Sequence, residues 1–249
     1  MNDVIETILN HRSIRSFVDE PLCSEQIKTI VRAAQMASTS SYIQAYTIIG
    51  VKNKTTKATL AELAGNQPYV EKNGHFFLFC ADLHRHEVSG KIENVNVSKS
   101  LESTEKLLVS IVDASLAAQN ATLAAESMGL GICYIGGIRN NIDKVAELLK
   151  LPSYVIPLFG LAVGVPEKDT EQKPRLPFDN IYHEEEYLQD ETTYINHLDE
   201  YNKTVSAYYE RRTKGKRSDR WTEQMADMLK EAKRTHMKTF LQNKGFMRD

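Results

Sequence analysis

Between Leu101 and Met128 the chain sets Leu107, Leu108, Ile111, Val112, Leu116, Leu123 and Met128 among Ala114, Ala117, Ala118, Ala121, Ala124 and Ala125. Read as one helix, this segment is apolar or small on most of its faces, and such a helix must be covered almost all round. A chain of 249 residues has enough core to cover most of it within one domain. The simplest cover for the last face is the same helix from a second copy, which points to a homodimer. Gly129 and Gly131 supply the stop at its C-terminus.

Bulk properties narrow the field further. Hydrophobic residues make up 41% and charged residues 26%, the balance of an ordered globular chain rather than a disordered one. A formal net charge of -2 gives no broad attraction to nucleic acid or to an anionic membrane. Cys23, Cys80 and Cys133 lie far apart with no CxxC pair, which argues against a disulfide scaffold or a metal site and for reduced thiols. The opening residues are acidic where a signal peptide needs positive charge. The apolar stretch from Val155 to Val165 is broken by Pro157, Gly160 and Gly164, and falls short of the roughly 20 residues of a membrane span. A cytoplasmic protein without a membrane segment is expected.

The remaining pattern is α+β. Ile5 to Asn10 reads as a short helix ended by a polar turn at His11 to Ser16, and Ser24 to Ala37 as an amphipathic helix with Ser24 as N-cap. Its apolar stripe is Ile27, Ile30, Val31 and Ala34. Tyr46–Val51, His75–Ala81, Ile132–Ile135 and Val155–Val165 read as strands, and Lys54–Ala64 and Asn141–Lys150 as helices. From about Asp190 to Asp249 the chain is charged, tyrosine-rich and helical, with little core of its own. One domain over residues 1–249 is expected, with 190–249 as a helical C-terminal extension and a mixed or mostly antiparallel sheet between helices.

Five short segments could carry chemistry. In His11-Arg12-Ser13-Ile14-Arg15, an extended backbone puts His11, Ser13 and Arg15 on one face, an imidazole, a hydroxyl and a guanidinium suited to gripping an anion. Lys173-Pro174-Arg175-Leu176-Pro177 is a rigid basic pair of the same kind. Cys133-Tyr134-Ile135-Gly136-Gly137 ends a strand in two glycines, which would let a flat ligand approach the backbone. Ser38-Thr39-Ser40-Ser41-Tyr42 is a run of hydroxyls, and Gln67-Pro68-Tyr69 lies at a later turn. Taken singly, solvated turns and ordinary helix ends account for each of them equally well. Asp82, His84 and His86 fit a polar loop better than a metal site. Cys133 fits a buried small hydrophobe, Trp221 a packing anchor, and Asp113 a buried, hydrogen-bonded interface carboxylate.

Together, the order of HRSIR, STSSYIQ, GNQPY, YIGGIRN and KPRLP resembles the FMN-dependent nitroreductase family. It is most similar to the subgroup of oxygen-insensitive NADPH nitroreductases and NAD(P)H-flavin oxidoreductases with a long C-terminal extension. The resemblance spans nearly the whole chain, through the buried helix to YYERRTKGKRSDRW in the tail. It implies a nitroreductase-like fold in an intertwined homodimer. By the same resemblance His11 and Ser13, helped by Arg12, hold the FMN phosphate, with Lys173 and Arg175 closing on it. Arg15 then sits at the N1/O2 edge of the flavin, where a fixed cation favours the reduced form. Gln67 and Tyr69 meet the pyrimidine side, and Ile135, Gly136 and Gly137 approach N5 and O4. Ser38, Thr39 and Ser40 come from the partner subunit. Arg212 and Arg217 hold NADPH, although a solvated basic helix end accounts for them too and NADH remains open as donor. The implied activity is ping-pong hydride transfer through FMN to nitroaromatics, quinones, free flavin or other small electron-poor acceptors. A dedicated flavin reductase supplying free reduced FMN, a non-catalytic flavin-binding protein and a flavin-fragmenting enzyme are the alternatives.

Overall fold

Every residue from His75 to Asp82 is buried, so this strand must be covered on both faces. The computed structural model, which describes residues 2–248, shows how. In chain order the elements are α1 (Asp3–Leu9), α2 (Ser24–Gln35), β1 (Tyr46–Val51), α3 (Lys54–Leu63), α4 (Pro68–Glu71), β2 (His75–Asp82), α5 (His84–Ile92) and α6 (Ser98–Leu101). There follow α7 (Thr104–Ser127), β3 (Gly131–Ile135), α8 (Ile142–Leu148), β4 (Val155–Gly164), α9 (Glu191–Thr213), α10 (Trp221–Leu229) and α11 (Met237–Asn243). The four strands pair antiparallel in the order β1-β2-β4-β3. Alternation along β2 sends Phe77 and Phe79 to one core and Phe76, Leu78 and Cys80 to the other. The first core is closed by Ile30 and Ala34 of α2 and by Ala117, Ala118, Ala121 and Ala125 of α7. The second includes Leu60 of α3, Val145 of α8 and Phe240 of α11.

The chain forms two compact units. One holds the residues up to Thr170 together with those from Arg234 onward, and so contains the sheet, α1–α8 and α11. The other is Glu171–Lys233, built on α9 and α10. Its inner contacts are the edge-on pair Tyr201–Trp221 at 5.8 Å and the Asn202 side chain, which accepts from the Thr222 amide at 3.0 Å. The second unit thus begins well before the composition change near Asp190. The last residues of the chain return to the first unit, where Phe246 packs edge-on against Tyr154.

Several local expectations are corrected. Cys23, not Ser24, is the N-cap of α2, and the Gln26 side chain accepts from the Cys23 amide at 2.9 Å. His84 to Ile92 is a helix and not a polar loop; its apolar residues Val88 and Ile92 stay exposed, so no hydrophobic period marked it. The alanine-rich helix starts at Thr104, after an N-cap from Ser103, with 98–101 a separate turn. Its stop is Gly129, at φ +75°, while Gly131 already belongs to β3. α7 is also long and apolar enough to cross a membrane by composition alone, a candidate the sequence reading passed over. Its alanines, however, are taken up by the sheet and α2, and it carries the buried Asp113 at its middle.

At the start of β2, His75 is 3% exposed, its ring tilted onto Phe77, and its Nε2 has no partner among the described residues. Burial, reinforced by Lys52 and Lys57, pulls its pKa down to about 4. The unfolded chain therefore binds a proton near pH 6.5 that the folded chain refuses. Stability should fall as pH drops from about 6.5 to about 4, by up to about 3 kcal/mol from this group. Denaturation midpoints across that window should fall less steeply in His75→Gln. Equal slopes in variant and parent would show that His75 does not titrate this way.

Candidate functional site

The segment after α1 is fixed along the sheet edge. The Ile14 amide donates to the Ile132 carbonyl at 2.8 Å, Ser13 bridges Ile132 in parallel, and Phe17 bridges Pro166. Ile14 is buried and Arg15 exposed, with His11 and Ser13 half-buried, so alternation sets these three opposite Ile14; it ends before Phe17, which is buried again. His11 Nδ1 meets Glu126 Oε1 at 2.7 Å, and the Glu126 side chain is only 12% exposed. A carboxylate only accepts, so Nδ1 carries the proton and the ring is held in one orientation. Arg12 points elsewhere. Its guanidinium is paired with Asp169 at 2.7 Å and donates to the Asn10 carbonyl at 3.1 Å, in a cleft of about 590 Å³ shared with Asp3 and Glu6.

Arg15 joins a second group of predicted residues. It lies near enough to Tyr69 for its charge to act on that phenol, and the Tyr69 hydroxyl donates to Gln67 Oε1 at 2.7 Å. Gln67 Nε2 in turn donates to the Ala64 carbonyl at 2.9 Å. Burial raises the Tyr69 phenol, with a smaller contribution from Cys133, while Arg15 opposes the rise. Burial also raises the Cys133 thiol, again against Arg15. Among the described residues Arg15 has no carboxylate partner. The result is a guanidinium without a counter-ion beside a phenol and a thiol that both stay neutral at neutral pH.

The glycine pair divides its roles. A Cβ on Gly137 would lie 2.3 Å from the Ala64 carbonyl oxygen and 2.6 Å from Gln67 Nε2, so this glycine is required by the protein's own packing. On Gly136 the nearest atom to a Cβ would be the Arg139 guanidinium at 3.4 Å, an ordinary contact, so the chain's own packing does not require this glycine. Ile135, one residue earlier, is buried in the core.

Ser38, Thr39 and Ser40 lie on the loop between α2 and β1. No hydrogen bond joins them to the Arg15–Tyr69 group among the described residues; instead, the Ser40 amide donates to Asp113 Oδ1 of α7 at 3.0 Å. In the second unit Lys173 and Arg175 are exposed, and neither forms an ion pair among the described residues. Tyr201 donates to the Pro174 carbonyl between them at 3.0 Å. Near the end of α9, Arg212 donates to the Tyr208 hydroxyl at 2.7 Å and has no carboxylate partner among the described residues. Arg217, by contrast, is paired with Asp219 and stacked over Tyr209 at 4.5 Å.

Residues 8–165 match the nitroreductase family, and residues 173–249 match its C-terminal domain. The chain belongs to the nitroreductase family. It is 55% identical over 246 residues, 99% of both chains, to a protein of Bacillus subtilis described as FMN reductase (NADPH). It is similar to the solved structure of NfrA1 from B. megaterium, with a TM-score of 0.98 and 62% identity over 99% of this chain and 100% of that one. An NADPH:FMN oxidoreductase from Vibrio harveyi, solved with NAD+, aligns over the whole of both chains with a TM-score of 0.89 and 39% identity.

Within this member of the family, the site residue that sequence reasoning missed is Glu126. Its partner His11 lies 115 positions away, which hides the pair. One signal was present: an acidic residue in the last turn of a helix opposes the helix dipole and needs a compensating donor. Imidazole 15N spectra should show His11 with Nδ1 protonated in the native protein. In Glu126→Gln, whose amide can donate as well as accept, the two tautomers should mix. Unchanged ring shifts would show that Glu126 does not orient His11.

Proposed function

We propose that this chain is an FMN-dependent NAD(P)H oxidoreductase that reduces nitroaromatics, quinones, free flavin or similar small electron-poor compounds. The observation that carries the reading is the uncompensated Arg15 guanidinium near the hydrogen-bonded pair Tyr69–Gln67, in the same unit as Gly136. FMN fits this donor set. A glycine that the chain's own packing does not require suits close approach of a flat ring, and a fixed cation suits the edge of the ring that becomes negative on reduction. The relatives described as FMN reductase (NADPH) and NADPH:FMN oxidoreductase support the same assignment. Bound FMN would supply the redox chemistry, accepting hydride at N5 from the nicotinamide and passing it to a second substrate over the same ring.

The chain's residues bind and orient. His11, held by Glu126, and Ser13 present donors for the phosphate, and Lys173 and Arg175 are uncompensated cations available to an anion. Arg12 is the weaker member of this set, because Asp169 already neutralises it. Arg212 is the stronger candidate for the nicotinamide donor's phosphate, because Arg217 is neutralised by Asp219. The working form is a homodimer through α7. Leu108, Val112 and Leu116, at 54%, 52% and 43% exposure, form one outward stripe at helical spacing. Burying three such side chains stabilises by roughly 1.5–3 kcal/mol each when complete. The three free cysteines suit a reducing compartment such as the cytoplasm.

The first test is anaerobic titration of the purified protein with NADPH, then NADH, followed in the visible spectrum. Flavin bands that bleach with donor and return with a nitroaromatic or quinone are expected. A protein that stays colourless and takes up no added FMN would overturn the proposal, and bound flavin that no donor bleaches would leave only a flavin-binding protein. Arg212→Ala should raise KM for NADPH about tenfold or more, the loss of one charged hydrogen bond, with a smaller effect from Arg217→Ala. The reverse order would reassign the donor site. Arg15→Leu should lower the flavin potential by tens of millivolts, where about 30 mV corresponds to about 1.4 kcal/mol for two electrons. An unchanged potential would remove that role from Arg15.

A further inference from the structure

Asp113 sits at the middle of α7 and is completely buried. No cation pairs with it among the described residues. Its two oxygens are used on one stretch of backbone: Oδ1 accepts from the Ser40 amide at 3.0 Å and Oδ2 from the Ala45 amide at 2.9 Å. Between these anchors Ser41, Tyr42 and Gln44 hold φ values of +46°, +58° and +53°. Three non-glycine residues in the left-handed region within four positions are unfavourable, and persist only where the surroundings impose them. The imposition is visible, since His86 Nε2 meets the Ile43 carbonyl at 2.7 Å and Arg85 donates to the Gln44 carbonyl at 3.1 Å. Tyr42, at the tip, is 83% exposed.

A plain connection from α2 to β1 needs neither a buried carboxylate nor a strained backbone, and both carry a cost. We infer that Asp113 is a positioning residue that clamps residues 40–45 from inside α7 and so fixes the preceding hydroxyls, Ser38, Thr39 and Ser40, in the shape that binds FMN. The inference rests on the proposed function for its ligand. Its geometry, with two main-chain donors converging on one buried carboxylate across a strained loop, stands on the structure alone. Val112, on the outward stripe, is the neighbour of Asp113, so the turn of α7 offered to a second copy is also the turn that shapes the cofactor loop.

Asp113→Asn tests this with little change of volume. An amide can accept one of the two N–H groups but turns a donor toward the other. The variant should keep the helical signal and the oligomeric state of the parent, while its dissociation constant for FMN rises about tenfold and KM for NADPH at saturating FMN stays put. Hydrogen exchange at the Ser40 and Ala45 amides should quicken while β2 and β4 remain protected. A control in the same helix, Ala117→Gly, lowers stability without touching the loop and should leave FMN affinity unchanged. FMN binding that weakens equally in both variants, or in neither, overturns the inference. If Asp113→Asn does not fold, the parent protein still decides, because its Ser40 and Ala45 amides must exchange far more slowly than those of Ser41 and Tyr42. Parent protein that takes up no FMN defeats the proposed function and this role together, whereas normal uptake with fast exchange at both amides defeats this role alone.

Discussion

The alanines of α7 are the constraint from which the site's geometry follows. Ala117, Ala118, Ala121 and Ala125 let a 24-residue helix lie close against Phe77 and Phe79 of β2 and against Ile30 and Ala34 of α2. Larger side chains at these positions would push the helix away from the sheet, at a cost of about 1–3 kcal/mol per overpacked position. With the helix fixed at that distance, its few polar residues reach different parts of the molecule at successive turns. Asp113 receives the amides of Ser40 and Ala45, Asn120 donates to the Ala33 carbonyl, and Thr122 donates to the Tyr134 hydroxyl. Glu126 accepts from His11. One rigid element thus sets the loop before β1, the side chain on β3 and the segment after α1.

Charge is distributed with the same economy. Of the arginines named for the site, two have carboxylate partners, Arg12 with Asp169 and Arg217 with Asp219. Arg15 instead lies near the Tyr69 phenol, and Arg212 donates to the Tyr208 hydroxyl. A phenol orients a guanidinium without cancelling its field, so the cation keeps its attraction for an incoming anion.

Strands were legible because they are short apolar runs between polar turns, and all four lie within a residue or two of where the pattern puts them. Helices with weak apolar periodicity were not, as α5 shows. The boundary of the second unit at Glu171 was obscured because Lys173 to Asp190 looks like loop and carries no regular period. Arg15, Gln67, Tyr69 and Gly137, which the resemblance named from separate segments, lie near one another in the fold. The resemblance could not show that Arg12 turns to Asp169, 157 positions away, or that Glu126 lies against His11. Pairings across such separations are decided by the sheet and α7, and no short segment records them. Gly137 also answers to the fold, since a side chain there would strike the Ala64 carbonyl, which its local sequence does not reveal.

On the proposed function, the raised Tyr69 and Cys133 also explain why such a site would accept many substrates. Hydride transfer to an acceptor must be completed by a proton. Neither the phenol nor the thiol is an acid that readily gives one up at neutral pH, because burial disfavours their charged forms more than Arg15 favours them. Arg15 is no better a donor, since a guanidinium holds its proton throughout this range. The proton is then left to solvent, and no side chain has to be aligned with a particular atom of the acceptor. A site that supplies a cation and no matched acid selects for electron deficiency. Discrimination among acceptors would have to come from residues lining the face where the acceptor lies, and not from the groups that tune the redox centre.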